Sequence, residues 1–292
     1  MVKFIYENII GKFIFDEDKD QLEELKGKKE EGKKGELKKL PHNKLALVLK
    51  KLREKEYFPL FYKKNIEITK KKLKESVTED LFIIQAIGNI NELDKVTNML
   101  VKRLREWYSL YFPELSEEVE HHQRYIELVL SDEQKKPEDS MGADLEEVHV
   151  EEMKLLAKHT AQLYELREKH EQYLQKVMQT YCPNLLELAG ATIGGKLIEL
   201  SRSLKRLALL PASTVQLLGA EKALFRHIKT GSRSPKYGVI INHPLVQNAP
   251  RDKKGKAARM LADKLSLCAR LDFFKGEFKA KDYRKELEEK LK

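Results

Sequence analysis

The chain has 292 residues, with 56 Lys and Arg against 47 Asp and Glu, a formal net charge of +9. Charged residues make up 35% and aromatics 8%, with only 14 Gly and 9 Pro, a balance that favours long charged helices over sandwiches or barrels. The length allows two or three domains with real cores; no apolar run is long enough to span a membrane, and Cys182 and Cys268 are too far apart for a CxxC zinc site or a disulfide framework.

The N-terminus, MVKFIYENII, lacks the pattern of a signal peptide, and the sparse cysteines fit a reducing compartment. Abundant Lys and Glu with few Cys also suit a heat-adapted source. Phe4 and Tyr6, then Phe13 and Phe15, alternate on either side of Gly11, which predicts two strands of a small sheet. Residues 19–39 are nearly all Lys, Glu and Gly, and predict a short helix around Leu22 and Leu25 followed by a solvated loop. Beyond Pro41, LALVLKKL reads as a buried segment, and the aromatic run Tyr57–Tyr62 reads mostly as core; left exposed, it would hint at a protein interface. Residues 1–80 together predict a compact α/β domain.

From about Thr78 the period changes. Ile83, Ile87, Ile90, Leu93, Val96, Leu100, Leu104, Trp107 and Tyr111 step by about 3.5 residues, the spacing of a coiled-coil seam, until Pro113 interrupts it. A second stripe runs Leu145, Val148, Leu156, Leu163, Leu166, Tyr173, Val177, Tyr181, with Glu152, His159 and His170 in intermediate seam positions. Two long helices joined by a segment with its own breakers, Pro137 and Gly142, predict an antiparallel hairpin over 81–181. Glu114 to Leu155 carries 14 acids against 4 bases, so the far end of that hairpin is acidic and should point away from any nucleic acid. His121, His122 and the seam histidines lack a second ligand cluster at suitable spacing, so no metal is expected.

Gly190 to Lys196 fits the GxxxxGK of a phosphate-binding loop, but Leu197 follows where magnesium needs Ser or Thr, and NLLELAG before it looks helical. Those glycines read as sites of close helix packing, and an ATPase is rejected. No nucleophile with a matched base and no cofactor loop after a strand is present, so the chain is expected to be non-catalytic and to hold no cofactor of its own.

The positive charge is local. Ser201 to Lys275 holds 16 Lys and Arg against 4 Asp and Glu, a net of +12, which leaves −3 for the rest of the chain. Within it, a short helix is predicted from Glu221 to Ile228, then a loop from Lys229 to Gly238 broken by Gly231, Pro235 and Gly238, then an apolar piece ending on His243-Pro244. A second basic cluster follows: Arg251, Lys253, Lys254, Lys256, Arg259. Cations spaced along a loop between helices, with glycines admitting close approach, suit a phosphate backbone.

The wording of this region, GAEKALFRHIKTGSRSPKYGVIINHPLVQ, closely resembles the signature of the Nop domain family, found in scaffold proteins of box C/D ribonucleoproteins and in a spliceosomal relative. GATIGGKLIELSRSLKRLALLPASTVQLLG upstream and KGKAARMLADKLSLCARLDFF downstream fit the same pattern, so the resemblance runs without an obvious gap from about Asn184 to Phe274. WYSLYFPEL at 107–115 is similar to the family's coiled-coil exit, and the short ending KAKDYRKELEEKLK is similar to the compact archaeal-type form. Where relatives usually carry two prolines at 234–235 and His at 237, this chain has Ser234 and Tyr237, which puts loop rigidity and the contact at 237 in doubt.

The resemblance implies a mainly α protein with four parts. These are a small α/β N-terminal domain (1–80) that holds fibrillarin, a dimerising coiled coil (81–181), an all-helical Nop domain (182–275) and a charged tail (276–292). It implies a scaffold that binds kink-turn guide RNA together with a ribosomal-protein-like partner, while fibrillarin, using S-adenosylmethionine, methylates ribose 2′-hydroxyls. The alternative is a splicing-type assembly factor without a methyltransferase. Expected RNA contacts are Lys222, Arg226 and His227 on the short helix, with Lys222 and Arg226 on one face. Lys229, Arg233 and Lys236 would meet phosphates on a loop shaped by Thr230 and Gly231, His243 and Pro244 would stack on or wedge against a base, and Arg251, Lys253, Lys256 and Arg259 would track a duplex. A cytoplasmic location is expected for a prokaryotic source, a nucleolar one for a eukaryotic source.

Overall fold

The computed structural model describes residues 3–16, 21–24, 38–53, 57–131 and 136–291. The chain divides into two compact units, Met1–Thr78 and Glu79–Lys292.

In the first unit, β1 (Lys3–Glu7) and β2 (Lys12–Asp16) are the two expected strands, and they pair antiparallel with Phe4 opposite Phe15 and Tyr6 opposite Phe13. Asn8 makes the turn: its side-chain oxygen accepts from the Ile10 and Gly11 amides at 2.9 and 3.2 Å. β3 (Gln21–Glu24) pairs with β2, where a helix around Leu22 was expected; Leu25 and the Lys/Gly-rich stretch behind it lie outside the described residues. Pairing with a formed strand edge overrides the weak helical preference of QLEE. β4 (Lys38–Lys39) runs parallel to β1, giving the order β3-β2-β1-β4.

α1 (Leu45–Leu52) closes one face of this sheet with Val48 and Leu52 against Phe4, Phe13 and Phe15. Leu47 and Leu49 are exposed, so LALVLKKL is amphipathic and not buried throughout. α2 (Phe58–Glu75) has no buried side chain, and the aromatic run read as core leaves Phe58 and Tyr62 exposed; only Tyr57, edge-on to Phe13 at 5.7 Å, packs against this core.

The second unit starts with α3 (Glu79–Tyr108), then α4 (Pro113–Glu118), α5 (His122–Ser131) and α6 (Glu147–Tyr181). The hairpin is present, but its internal seam differs from the expected one. On α3, Ile83, Ile87, Ile90 and Leu104 are buried as expected, whereas Val96 is exposed and Thr97 and Val101 point inward. On α6 the buried residues are Met153, Ala157, Thr160, Leu174 and Met178, leaving Val148, Leu166 and Tyr173 exposed. Leu145, Leu156, Leu163, Val177 and Tyr181 of the expected stripe are half-buried, so it lies beside the inner positions that the small Ala157 and Thr160 share. In the middle of the hairpin, Arg167 Nε donates to Asp94 at 2.6 Å and its Nη1 to Glu171 at 2.9 Å.

α4 and α5 fold over the far end, around Leu115, Tyr125, Ile126 and Val129. Arg105 stacks on Tyr125 at 4.3 Å and donates to the Ser116, Val119 and Glu120 carbonyls. The 30 residues of α3 place this acidic end about 45 Å along the axis from the helix start.

The near end of the hairpin is built into a helical module: α7 (Pro183–Ala189), α8 (Ala191–Ser201), α9 (Leu204–Leu209), α10 (Ala212–Leu217), α11 (Glu221–Thr230), α12 (Pro244–Gln247), α13 (Lys254–Phe273) and α14 (Ala280–Leu291). One core joins Ile83, Ile87 and Met178 of the hairpin to Leu197, Leu207, Leu261 and Leu265 of the module. Gly195 sits where α8 crosses the hairpin: a Cβ there would lie 3.3 Å from Leu174 Cδ2 and 3.5 Å from Ile87 Cβ. Asp80 at the start of α3 accepts from the Leu204 amide at 2.9 Å and so ties α9 to the hairpin.

Asp272 caps α7, accepting from the Asn184 and Leu185 amides at 3.0 and 2.8 Å, and burial raises its carboxyl pKa. Asn184 in turn accepts from the Lys279 and Ala280 amides at 2.7 and 3.1 Å. The segment expected as a charged tail is therefore a capped, packed helix, α14, with Ala280 and Leu287 buried. Among the described residues no helix is long and apolar enough to cross a membrane, and no group of His, Cys, Asp and Glu is arranged to hold a metal.

Candidate nucleic-acid interface

α11 stands on the module with no buried side chain. Ala223, Leu224 and His227 are half-buried on its inner side, while Lys222, Phe225, Arg226, Ile228 and Lys229 are exposed. Gly231 ends the helix in the left-handed region at φ 67°, and the Thr230 hydroxyl donates back to the Arg226 carbonyl at 2.8 Å. The His227 ring contacts the Ser232 carbonyl and folds the following loop against the helix end. His227 thus shapes the loop more than it projects from it.

The other end of the loop is pinned by backbone. Gly238 N donates to the Gln216 carbonyl and Val239 N to the Leu218 carbonyl, both at 2.8 Å, and Gln216 Nε2 donates to the Lys236 carbonyl at 2.6 Å. Tyr237 is half-buried against the main core, so it anchors the loop. Arg233 and Lys236 remain exposed between these two fixed ends. Lys236 also lies along the start of α13: a Cβ on Gly255 would be 3.6 Å from its Cδ. That contact joins the loop cations to the second cluster, in which Arg251, Lys253, Lys256 and Arg259 are all exposed.

His243 departs from expectation. It is 6% exposed; its Nδ1 accepts from the Leu245 amide at 3.2 Å, so Nε2 carries the proton donated to the Leu188 carbonyl at 2.9 Å. Burial, and to a lesser extent the charge of Arg284, lowers its pKa and favours the neutral ring. It caps α12 and fastens it to α7. Buried, it offers no ring face for a base to stack on, and of the pair only Pro244, exposed at the first position of α12, is presented outward.

Sequence reasoning missed two residues here. Phe225 and Ile228 are 60% and 71% exposed, one turn apart, and Lys229 Nζ sits 5.3 Å above the Phe225 ring. A helical wheel would have found them, because Leu224 and His227 define an inner face from which Phe225 and Ile228 point away. The surface is thus part cationic and part apolar. It can neutralise phosphates and cover a protein face together.

The Nop family profile, described as "snoRNA binding domain, fibrillarin", matches residues 89–292. An uncharacterised NOP5 family protein of Methanocaldococcus jannaschii is 40% identical over 248 residues, 77% of this chain and 60% of its own length. Nucleolar protein 58 of Sclerotinia sclerotiorum is 38% identical over 70% of this chain and 40% of its own. Nucleolar protein 56 of Schizosaccharomyces pombe is 37% identical over 67% of this chain and 45% of its own. A solved fibrillarin/Nop5p complex contains a chain 25% identical to this one, with a TM-score of 0.49, covering 99% of this chain and all of that one. The matched chain thus spans about 60% of the archaeal relative and less than half of the nucleolar ones. A family match over residues 89–292 takes in most of the hairpin, α11, its loop and the second basic cluster, and the chain belongs to the Nop family.

Proposed function

We propose that this chain is a non-catalytic scaffold of a box C/D ribonucleoprotein. The observation that carries the reading is the mixed surface of α11, where Lys222, Arg226 and Lys229 lie beside exposed Phe225 and Ile228. The cations suit phosphates, and the exposed apolar pair beside them suits a protein face. The two together suit a kink-turn RNA already held by a small ribosomal-protein-like partner. Lys222, Arg226, Lys229, Arg233 and Lys236 would take phosphates near the kink, and Arg251, Lys253, Lys256 and Arg259 would follow the adjoining duplex.

In this reading the N-terminal unit recruits fibrillarin, which binds S-adenosylmethionine and performs the 2′-O-methylation. The hairpin pairs with a second copy. Between Ile90 and Val101 α3 buries only Thr97, and between Ala157 and Leu174 α6 buries only Thr160. The midsection thus has little core of its own, and Val96, Met99, Leu166 and Tyr173 face outward, available to a partner helix.

The test is a gel shift. A kink-turn RNA is incubated with its small protein binder and titrated with the full chain at moderate salt. A further discrete shift that needs both RNA and binder is expected. Equal binding to any RNA, with or without binder, would reduce the chain to a generic basic module. Retention of fibrillarin by the full chain separates the modification scaffold from a splicing-type factor, which would not retain it.

A further inference from the structure

We propose that α2 is a second RNA-contact element, separate from α11. This rests on α2 alone and not on the reading of the Nop module. None of the eighteen residues of α2 is buried, and two adjacent stripes stand out among its exposed side chains, with the exposed Leu60 on another side. One is apolar: Phe58, Tyr62, Ile66 and Leu73, with the Phe58 and Tyr62 rings stacked at 6.3 Å and 24°. The other is cationic: Lys63, Lys70 and Lys74 fall within about 40° of one another on the helix and span about 16 Å along it.

The lysines are available. The two glutamates of α2 are taken up locally, Glu67 by Lys64 at 3.4 Å and Glu75 by Lys71 at 3.9 Å. Lys63, Lys70, Lys72 and Lys74 have no carboxylate partner among the described residues. A row of unpaired ammonium groups beside a stacked aromatic pair, 49% and 59% exposed, matches the two halves of a single strand, phosphates along the row and a base against the rings. A bilayer fits less well. Its helices carry a broad apolar face, whereas here the stripe is only about 80° wide, has Thr69 within it, and is bordered by the lysine row on one side and by Asn65 and Lys72 on the other.

The experiment uses the full chain in a background where Lys222, Arg226, Lys229, Arg233, Lys236, Arg251, Lys253, Lys256 and Arg259, all exposed, are changed to Gln, so that the Nop surface is silenced. Affinity for a fluorescent single-stranded RNA of about twenty nucleotides is measured against salt. Adding Lys63→Gln, Lys70→Gln and Lys74→Gln should lower affinity about tenfold at low salt and flatten the salt slope by about two, from three phosphate contacts. Phe58→Ser with Tyr62→Ser should lower affinity several-fold and leave the slope unchanged. All five positions are exposed, so the circular dichroism spectrum should not move.

Three outcomes would overturn the proposal. The background protein could fail to bind RNA, or the added substitutions could leave affinity and slope unchanged. Alternatively, they could abolish sedimentation with phosphatidylcholine–phosphatidylserine vesicles while RNA binding persists, which would make α2 a lipid-surface helix. Normal kink-turn assembly by the background protein would instead count against the α11 reading and leave α2 untouched.

Discussion

A methyl group on Gly238 would stand 1.9 Å from the Leu218 carbonyl oxygen, so the loop carrying Arg233 and Lys236 closes onto its base only with glycine there. The same contact lets Val239 N reach the Leu218 carbonyl at 2.8 Å. Gly238→Ala must push the two segments apart, at a cost of about 1–3 kcal/mol. Calorimetry should show a lower Tm, and gel shifts should show weaker assembly on binder-bound RNA. An unchanged Tm would mean that the loop base yields freely.

The two halves of the α11 surface should separate by salt dependence. Arg226→Ala or Lys236→Ala is expected to weaken assembly by about 1–3 kcal/mol and to flatten the salt slope. Phe225→Ser with Ile228→Ser should weaken it comparably with the slope unchanged, because the lost area is apolar. All four residues are exposed, so thermal unfolding should stay put. A fall in Tm alongside the loss of binding would make them structural.

The degree to which this was legible in the sequence follows the kind of signal each residue gives. The β1–β2 pair was plain because Phe4, Tyr6, Phe13 and Phe15 keep one strand period on both sides of a turn. The hairpin was plain too, but its inward face was not. A heptad stripe of large apolar residues looks the same whether it meets its own hairpin partner or a second chain, and here Ala157 and Thr160 took the inner position. The glycines of the phosphate-loop lookalike could be assigned to helix packing because NLLELAG has no strand character, and Gly195 does meet Leu174 and Ile87. His243 was misjudged because its partner, the Leu188 carbonyl, is 55 residues away and carries no sequence mark. β3 was missed for a similar reason, since its partner edge is set by pairing and not by QLEE itself.

His243 also gives a pH dependence. Its folded pKa lies below the ordinary histidine value, chiefly through burial, so the unfolded chain binds the proton more readily. Stability is therefore complete above the unfolded pKa of about 6.5 and declines as pH falls below it, until the folded ring protonates too. His122 is shifted in the same direction, again by burial first, and adds to the slope. His243→Gln keeps a donor able to reach the Leu188 carbonyl and removes the titration. Its Tm should be lower than the parent's at pH 7.5, with a smaller further drop by pH 5.5. Parallel Tm–pH curves for the two proteins would rule out this account of the ring.

The last expectation concerns the middle of the hairpin. There the inward positions are Thr97 and Thr160, whose hydroxyls bond to their own helices at 2.8 and 2.7 Å, and the cross-link is the partly exposed Arg167–Asp94 pair. A pair so exposed contributes about 1 kcal/mol or less, too little to hold two helices over several turns. Leu93, Leu100 and Leu163 are only half-buried here, and Val96, Met99, Leu166 and Tyr173 point outward, with Met99 63% exposed. A second copy that covers them would supply the missing core, so light scattering of the full chain should give a dimer. Met99→Glu with Leu166→Glu should give a monomer of unchanged helical content at ordinary temperature, with a lower Tm that no longer depends on protein concentration. A parent chain that is monomeric at every concentration would overturn this account of the midsection.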